Sequence, residues 1–202
     1  MTTAGGQVTI HRRVVRAVLL HGIEGYPSEN WFPWLAENLQ SRGFQVEVPH
    51  FPSGENLSLS SWIDIFARHF GTLQGFDIVI GHSLGAVFAL RLVEQLTASI
   101  RAAFLVSAFV GPISFPPYAR MISSFFASEF NWPYIRAMSR AWYLYHADND
   151  PIVPLASGLA VARHLDVPMR VIPGGGHLNS SAGFVKFDTL FADVLASAGF
   201  EP

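Results

Sequence analysis

The 202-residue chain contains no cysteine. That excludes disulfides, thiolate metal sites and a cysteine nucleophile, and it leaves the redox compartment open. Charge is sparse. Only 14% of residues are charged, 13 Lys plus Arg stand against 15 Asp plus Glu, and no basic block points to a nucleic-acid partner. Long apolar runs are missing. The nearest, 14–20, is broken by Arg16 and is far too short to span a bilayer. Residues 1–7 are polar and glycine-rich and lack the apolar stretch of a secretory signal, so a cytoplasmic location is the expectation. The histidines lack the close H-x-x-x-H spacing of zinc helices, so no metal site is expected.

Half of the residues are hydrophobic, and the chain is long enough for one domain, 1–202, with a substantial core. Strand-like runs fall at 14–20, 44–48, 77–80, 102–106, 142–145 and 169–172, with helix-like runs between them. This alternation predicts a three-layer α/β sandwich around a mostly parallel sheet of about six strands. Trp31, Trp34, Leu35 and Leu39 mark a first helical face, and Trp62, Phe66 and Phe70 a second, with Ser61 and Asp64 as its capping pair. The run 86–96 is apolar nearly all round, which predicts a central, buried helix. Phe184, Phe187, Phe191, Val194 and Leu195 mark the last helix.

Gly81-His82-Ser83-Leu84-Gly85 is the most informative stretch. This G-x-S-x-G pattern arises by chance in roughly one such chain in fifteen, so its setting matters more than its letters. It follows the apolar strand 76–80 and opens the apolar helix, the strand–turn–helix context of a nucleophile elbow. A serine hydroxyl needs an adjacent base, and the base needs an orienting acid. In this architecture both follow the serine, acid first, in loops at strand C-termini. Asp150 in His146–Pro154 is the first choice for the acid, stiffened by Pro151 and Pro154, with Asp148 as the reserve. His177, behind Gly174-Gly175-Gly176 and after the last strand, is the candidate base. His82 is expected to support the turn and His146 to shape the acid loop; His11, His50, His69 and His164 are expected at the surface or in packing. Two backbone N–H groups must meet the developing oxyanion. Leu84 supplies one, and the loop His21-Gly22-Ile23-Glu24-Gly25 the other, from Ile23 or from Glu24.

Residues 108–140 break the alternation with Pro112, Pro116, Pro117 and Pro133 among Phe115, Phe125, Phe126 and Trp132. The segment is either a small lid or a surface excursion of one or two short helices. Folded over Ser83, its four aromatic side chains would wall an apolar substrate pocket.

Taken together, the His21-Gly22 loop, the Gly81–Gly85 elbow, the Asp150–Pro154 loop and the Gly176-His177 turn resemble the α/β-hydrolase superfamily over nearly the whole chain. Compact size, Glu29-Asn30-Trp31-Phe32-Pro33-Trp34-Leu35 and the short insertion ending near Asn131-Trp132 resemble the small retinoblastoma-binding-protein-9 and YdeN-like serine hydrolases. The resemblance implies a Ser83–Asp150–His177 triad acting on a small acyl substrate without a cofactor. Ester, thioester and small amide all stay open. It also leaves open a protein-binding module on a hydrolase scaffold.

Overall fold

The computed structural model describes residues 14–111 and 119–201. Phe115, Pro112, Pro116 and Pro117 lie outside them. Among the described residues, six strands form one parallel sheet: β1 (Arg16–Leu20), β2 (Gln45–Glu47), β3 (Ile78–His82), β4 (Ala102–Val106), β5 (Trp142–Ala147) and β6 (Met169–Ile172). Their spatial order is β2-β1-β3-β4-β5-β6. The winding direction reverses between β1 and β3. In such sheets that switch point opens a crevice beyond the strand C-termini.

Helices cover both faces: α1 (Phe32–Ser41) and α6 (Asp188–Ser197) one of them, α2 (Leu59–His69), α3 (Leu84–Val93), α4 (Trp132–Ala137) and α5 (Leu155–Leu165) the other. The period of two in each strand sorts the side chains between two cores. Val18, Leu20, Val79, Ala103 and Leu105 face α2 and α3, whereas Ala17, Leu19, Ile78, Ile80 and Phe104 face α1 and α6. Every residue of α3 is buried, as its all-round apolarity predicts. No helix among the described residues is long and apolar enough to cross a membrane.

Three local expectations need correction. The α2 capping box is Ser58 with Ser61, not Ser61 with Asp64. Ser58 Oγ accepts from the Ser61 N–H at 3.1 Å while the Ser61 hydroxyl accepts from the Ser58 N–H at 3.1 Å, and the helix starts a turn earlier. The last helix begins at Asp188. Phe184 and Phe187 precede it and still pack into its core, so their apolar spacing marked burial rather than helix. Helix α5 was not anticipated, because Gly158 interrupts its pattern. That glycine makes room for a histidine: a Cβ there would lie 2.4 Å from His146 Nδ1.

The described part of 108–140 packs onto the core. A 3-10 turn, Met121–Phe126, buries Ile122 and Phe125, and α4 buries Ile135. Phe125 meets Trp62 edge-on at 5.2 Å. Arg91 on α3 holds the segment: its guanidinium donates to the carbonyls of Phe125 and Ser128, pairs with Glu94 and lies 3.6 Å from the Phe130 ring centroid.

Candidate active site

Gly81 on β3 is flanked by Leu20 of β1 and Leu105 of β4, so the end of β3 lies beside the loop that follows β1. Ser83 donates its N–H to the Val106 carbonyl at 2.8 Å, one rung beyond the strand, and the chain then turns directly into α3. The turn places Ser83 at φ 56°, ψ −121°. A non-glycine residue holds such a conformation only where its surroundings enforce it. The enforcement is visible at both glycines. A Cβ on Gly81 would lie 2.4 Å from the Gly85 carbonyl oxygen, and one on Gly85 would lie 2.1 Å from the Leu20 oxygen and 2.6 Å from that of His21. These are backbone atoms and cannot swing aside. Gly85→Ala is therefore expected to lower unfolding free energy by at least about 3 kcal/mol, read from urea denaturation. A loss below about 1 kcal/mol would show that the elbow yields.

Opposite the elbow, the loops after β5 and β6 bring the candidate acid and the candidate base together. His177 Nδ1 donates to Asp150 Oδ2 at 2.8 Å. The other carboxylate oxygen, Oδ1, accepts the N–H groups of Ile152 and Val153, both at 2.9 Å. Burial pushes the Asp150 carboxyl up, but its bonds to His177 and to these two N–H groups outweigh burial and hold it below the usual range. Asp148, the alternative acid, is engaged elsewhere: its Oδ1 accepts the Gly174 N–H at 2.8 Å, and Asn149 Oδ1 accepts that of Gly176 at 2.8 Å. All three residues of Asp148-Asn149-Asp150 thus fasten the glycine-rich base loop. His146 shapes the acid loop from beneath, donating Nε2–H to the Val153 carbonyl at 2.9 Å and lying 3.7 Å from Asp150 Oδ2.

The base loop is held from the elbow side as well. His82 donates Nε2–H to the carbonyl of His177 itself at 2.8 Å, and Trp31 Nε1 donates to the next carbonyl, Leu178, at 3.0 Å. Asn30 Oδ1 accepts the Ser180 N–H at 2.9 Å. Burial, with His177 close by, pushes the His82 pKa down to about 3, so its ring is neutral at physiological pH. His82 does more than support its own turn; it ties the elbow to the base.

The loop after β1 approaches Ser83 closely. A Cβ on Gly22 would touch Ser83 Cβ at 3.0 Å and Ser83 Oγ at 3.5 Å. His21 fixes this loop, its Nδ1–H bonding the Gly22 carbonyl at 2.7 Å while Nε2 accepts the Phe51 N–H at 2.9 Å. Burial lowers its pKa to about 4. The Glu24 N–H is turned away to Ser53 Oγ at 3.0 Å, whereas Ile23 lines the cavity beside Ser83. Leu84, on the other side, is the first residue of α3, where a backbone N–H has no helical partner. Of the six described non-glycine residues with positive φ, Glu24, Asn30, Ser83 and Leu178 lie in this ring of loops.

Ser83 and His177 open into one cavity of about 320 Å³, which Ile23, Glu29, Asn30, Ile152, Asn179 and Ser180 also line. The expected aromatic wall is not among its described lining. Phe125 is in the core against Trp62 and Phe88, and Phe126 and Trp132 line a separate cavity with Phe130 and His164. The Arg91 clamp holds the part of the segment around Phe125 and Ser128 on α3. Phe115 lies outside the described residues. Sequence reasoning did not single out His21, Asn30 and Trp31 as supports of the site, nor Glu29 as part of its wall; the one signal was their clustering in the two stretches 21–25 and 29–35.

The family model of the serine hydrolases matches residues 17–196. YdeN of Bacillus subtilis (strain 168) is 27% identical over 181 residues, covering 89% of this chain and 93% of that protein. The serine hydrolase RBBP9 of Rattus norvegicus is 26% identical over 169 residues, covering 82% and 88%. The crystal structure of YdeN superposes with a TM-score of 0.82 at 26% identity, over 92% of this chain and 98% of that one. Est1E of Butyrivibrio proteoclasticus, solved with ferulic acid bound, shares the fold at a TM-score of 0.62 and 15% identity, over 87% of this chain and 88% of its own. Since the family match runs unbroken from β1 into α6 and takes in the elbow and both facing loops, the chain belongs to the serine hydrolase family and has the α/β-hydrolase fold.

Proposed function

We propose that the protein hydrolyses carboxylic esters or closely related acyl substrates through a Ser83–His177–Asp150 triad, without a cofactor. One observation carries this reading: His177 Nδ1 is bonded to the buried Asp150 carboxylate at 2.8 Å while its ring shares a cavity with a serine held at positive φ. The Nδ1–H bond fixes the tautomer, so Nε2 is the free base. His177 Nε2 takes the Ser83 proton as Oγ attacks the acyl carbon, and then gives that proton to the leaving group. Water, deprotonated by the same nitrogen, attacks the acyl-enzyme, and the C–Oγ bond breaks as His177 returns the proton to Ser83 Oγ, releasing the acid. Asp150 keeps the imidazole oriented and stabilises its charged form. The N–H groups of Leu84 and Ile23 receive the oxyanion; the diversion of the Glu24 N–H to Ser53 supports Ile23 over its neighbour.

A stopped-flow trace with a p-nitrophenyl ester tests the reading. The expected result is a burst of nitrophenolate near one equivalent, followed by slower turnover, with Ser83→Ala showing neither. Equal turnover by wild type and Ser83→Ala would overturn it. The acid is tested separately. Asp150→Asn offers the imidazole the wrong hydrogen-bonding partner and is expected to cut kcat by about 10⁴-fold. Asp148→Asn keeps an Oδ1 for the Gly174 N–H and is expected to cost less than about tenfold. The reverse order would move the role to Asp148.

A further inference from the structure

Where an aromatic wall was expected, the cavity beside Ser83 has several polar lining residues. Apart from the two proposed reacting residues, its lining residues include Glu29, Asn30, His82, Asn179 and Ser180, with Ile23 and Ile152 as the large apolar ones. Glu29 is the charged one. It is half-buried, and its carboxylate makes no hydrogen bond or ion pair with any described residue. No lysine or arginine is among the described lining residues. The two amide oxygens nearby are already engaged: Asn30 Oδ1 by the Ser180 N–H, and Asn179 Oδ1 by the Ser181 hydroxyl and the Ala182 N–H. Nor is Glu29 on a floppy tether. Its N–H donates to the Tyr26 carbonyl and its own carbonyl accepts the Phe32 N–H, both at 3.2 Å, at the entrance to α1.

A free carboxylate in the wall of a substrate cavity loses hydration when the cavity fills. A neutral occupant without a hydrogen-bond donor returns nothing for that loss, and an anionic one adds repulsion, whereas a cation restores the lost interaction. A cation also offsets the carboxylate's unfavourable field at an oxyanion developing in the same cavity. Building on the hydrolase reading above, we propose that the preferred substrate is an ester carrying an ammonium group, with Glu29 as the residue that selects for it. The bond broken is the acyl C–O bond as in any ester; the ammonium group is bound and takes no part in the chemistry.

Two pairs of esters that differ only in that charge test the proposal. Alanine benzyl ester and benzyl isobutyrate place it on the acyl side; butyrylcholine and 3,3-dimethylbutyl butyrate place it on the alcohol side. The readout is the ratio of kcat/KM for the cationic ester to that for its neutral partner, in wild type and in Glu29→Gln. Taking the variant's ratio against the wild-type ratio cancels both the intrinsic reactivity of each ester and any general effect of the substitution. The expected result is a ratio about tenfold lower in Glu29→Gln for at least one pair, with the wild-type ratio falling as salt is added. Ratios that agree within about twofold in both pairs overturn the proposal. If Ser83 is then still labelled by a fluorophosphonate, the hydrolase reading survives and only the selectivity is wrong. If the wild type hydrolyses none of the four esters and Ser83 is unlabelled, the hydrolase reading fails and this proposal with it.

Discussion

Ser83→Ala is expected to lower kcat on any turned-over ester by about 10⁵-fold or more, and adding His177→Ala is expected to lower it no further. In the proposed triad, nucleophile and base work as one unit. Without Oγ there is nothing for the imidazole to deprotonate; without the imidazole the hydroxyl is a poor nucleophile at neutral pH. Their energies therefore do not add. Both residues line the cavity; Ser83→Ala keeps the Cβ that the elbow already accommodates at positive φ, whereas His177→Ala also takes a partner from the buried Asp150 carboxylate. Thermal melting checks that folding is unchanged, and kcat from single-turnover traces checks the loss. If the double variant loses a further factor comparable to each single one, the two residues act independently and the triad is wrong.

Acid is expected to unfold the protein at an unusually early point, with on the order of 5 kcal/mol lost between pH 6.5 and pH 4. The cause lies in the buried histidines that brace the site. His21 and His82 sit at 0% and 4% exposure, with pKa values pushed down to about 4 and about 3. The unfolded chain takes up these protons near pH 6.5; the folded chain takes them up only near those lower values. Their contribution is thus full above pH 6.5 and is lost as pH falls toward 4 and 3. His146 is also pushed down by burial and adds in the same direction. Asp150, held below its usual range, adds a further loss under about pH 4. Against a typical total stability of about 5–15 kcal/mol, this places the transition in mildly acidic solution. Urea denaturation at a series of pH values measures it, and the slope should approach two protons taken up on unfolding near pH 5. A flat profile from pH 7 to pH 4 would mean that these rings are charged or exposed in the folded protein.

Legibility in the sequence followed the range of the interactions. The elbow glycines are demanded by backbone contacts within one turn and between neighbouring strands, and their spacing is written locally. The inner strands β1, β3, β4 and β5 are mostly apolar runs, because both their faces are covered. Asp150 and His177 could be sought where they lie, because parallel strands put their following loops at one edge. The supports of the site were not readable in this way. His82 reaches a carbonyl 95 residues on, and Trp31 one 147 residues on, and no local pattern records such contacts. The aromatic residues of 108–140 showed that something would be buried, but not against what: Phe125 finds Trp62 and Phe88, and Arg91 decides that it does so. Glu29 read only as part of a helix entrance until the fold set it beside Ser83.

The most direct test is reaction of the folded protein with a fluorophosphonate, followed by intact-mass and peptide mass spectrometry. An activated serine is expected to take up one phosphonyl group, on the peptide containing Ser83, with Ser83→Ala and His177→Ala left unmodified. A folded wild type that remains unmodified, or one labelled on any other serine, would contradict the account.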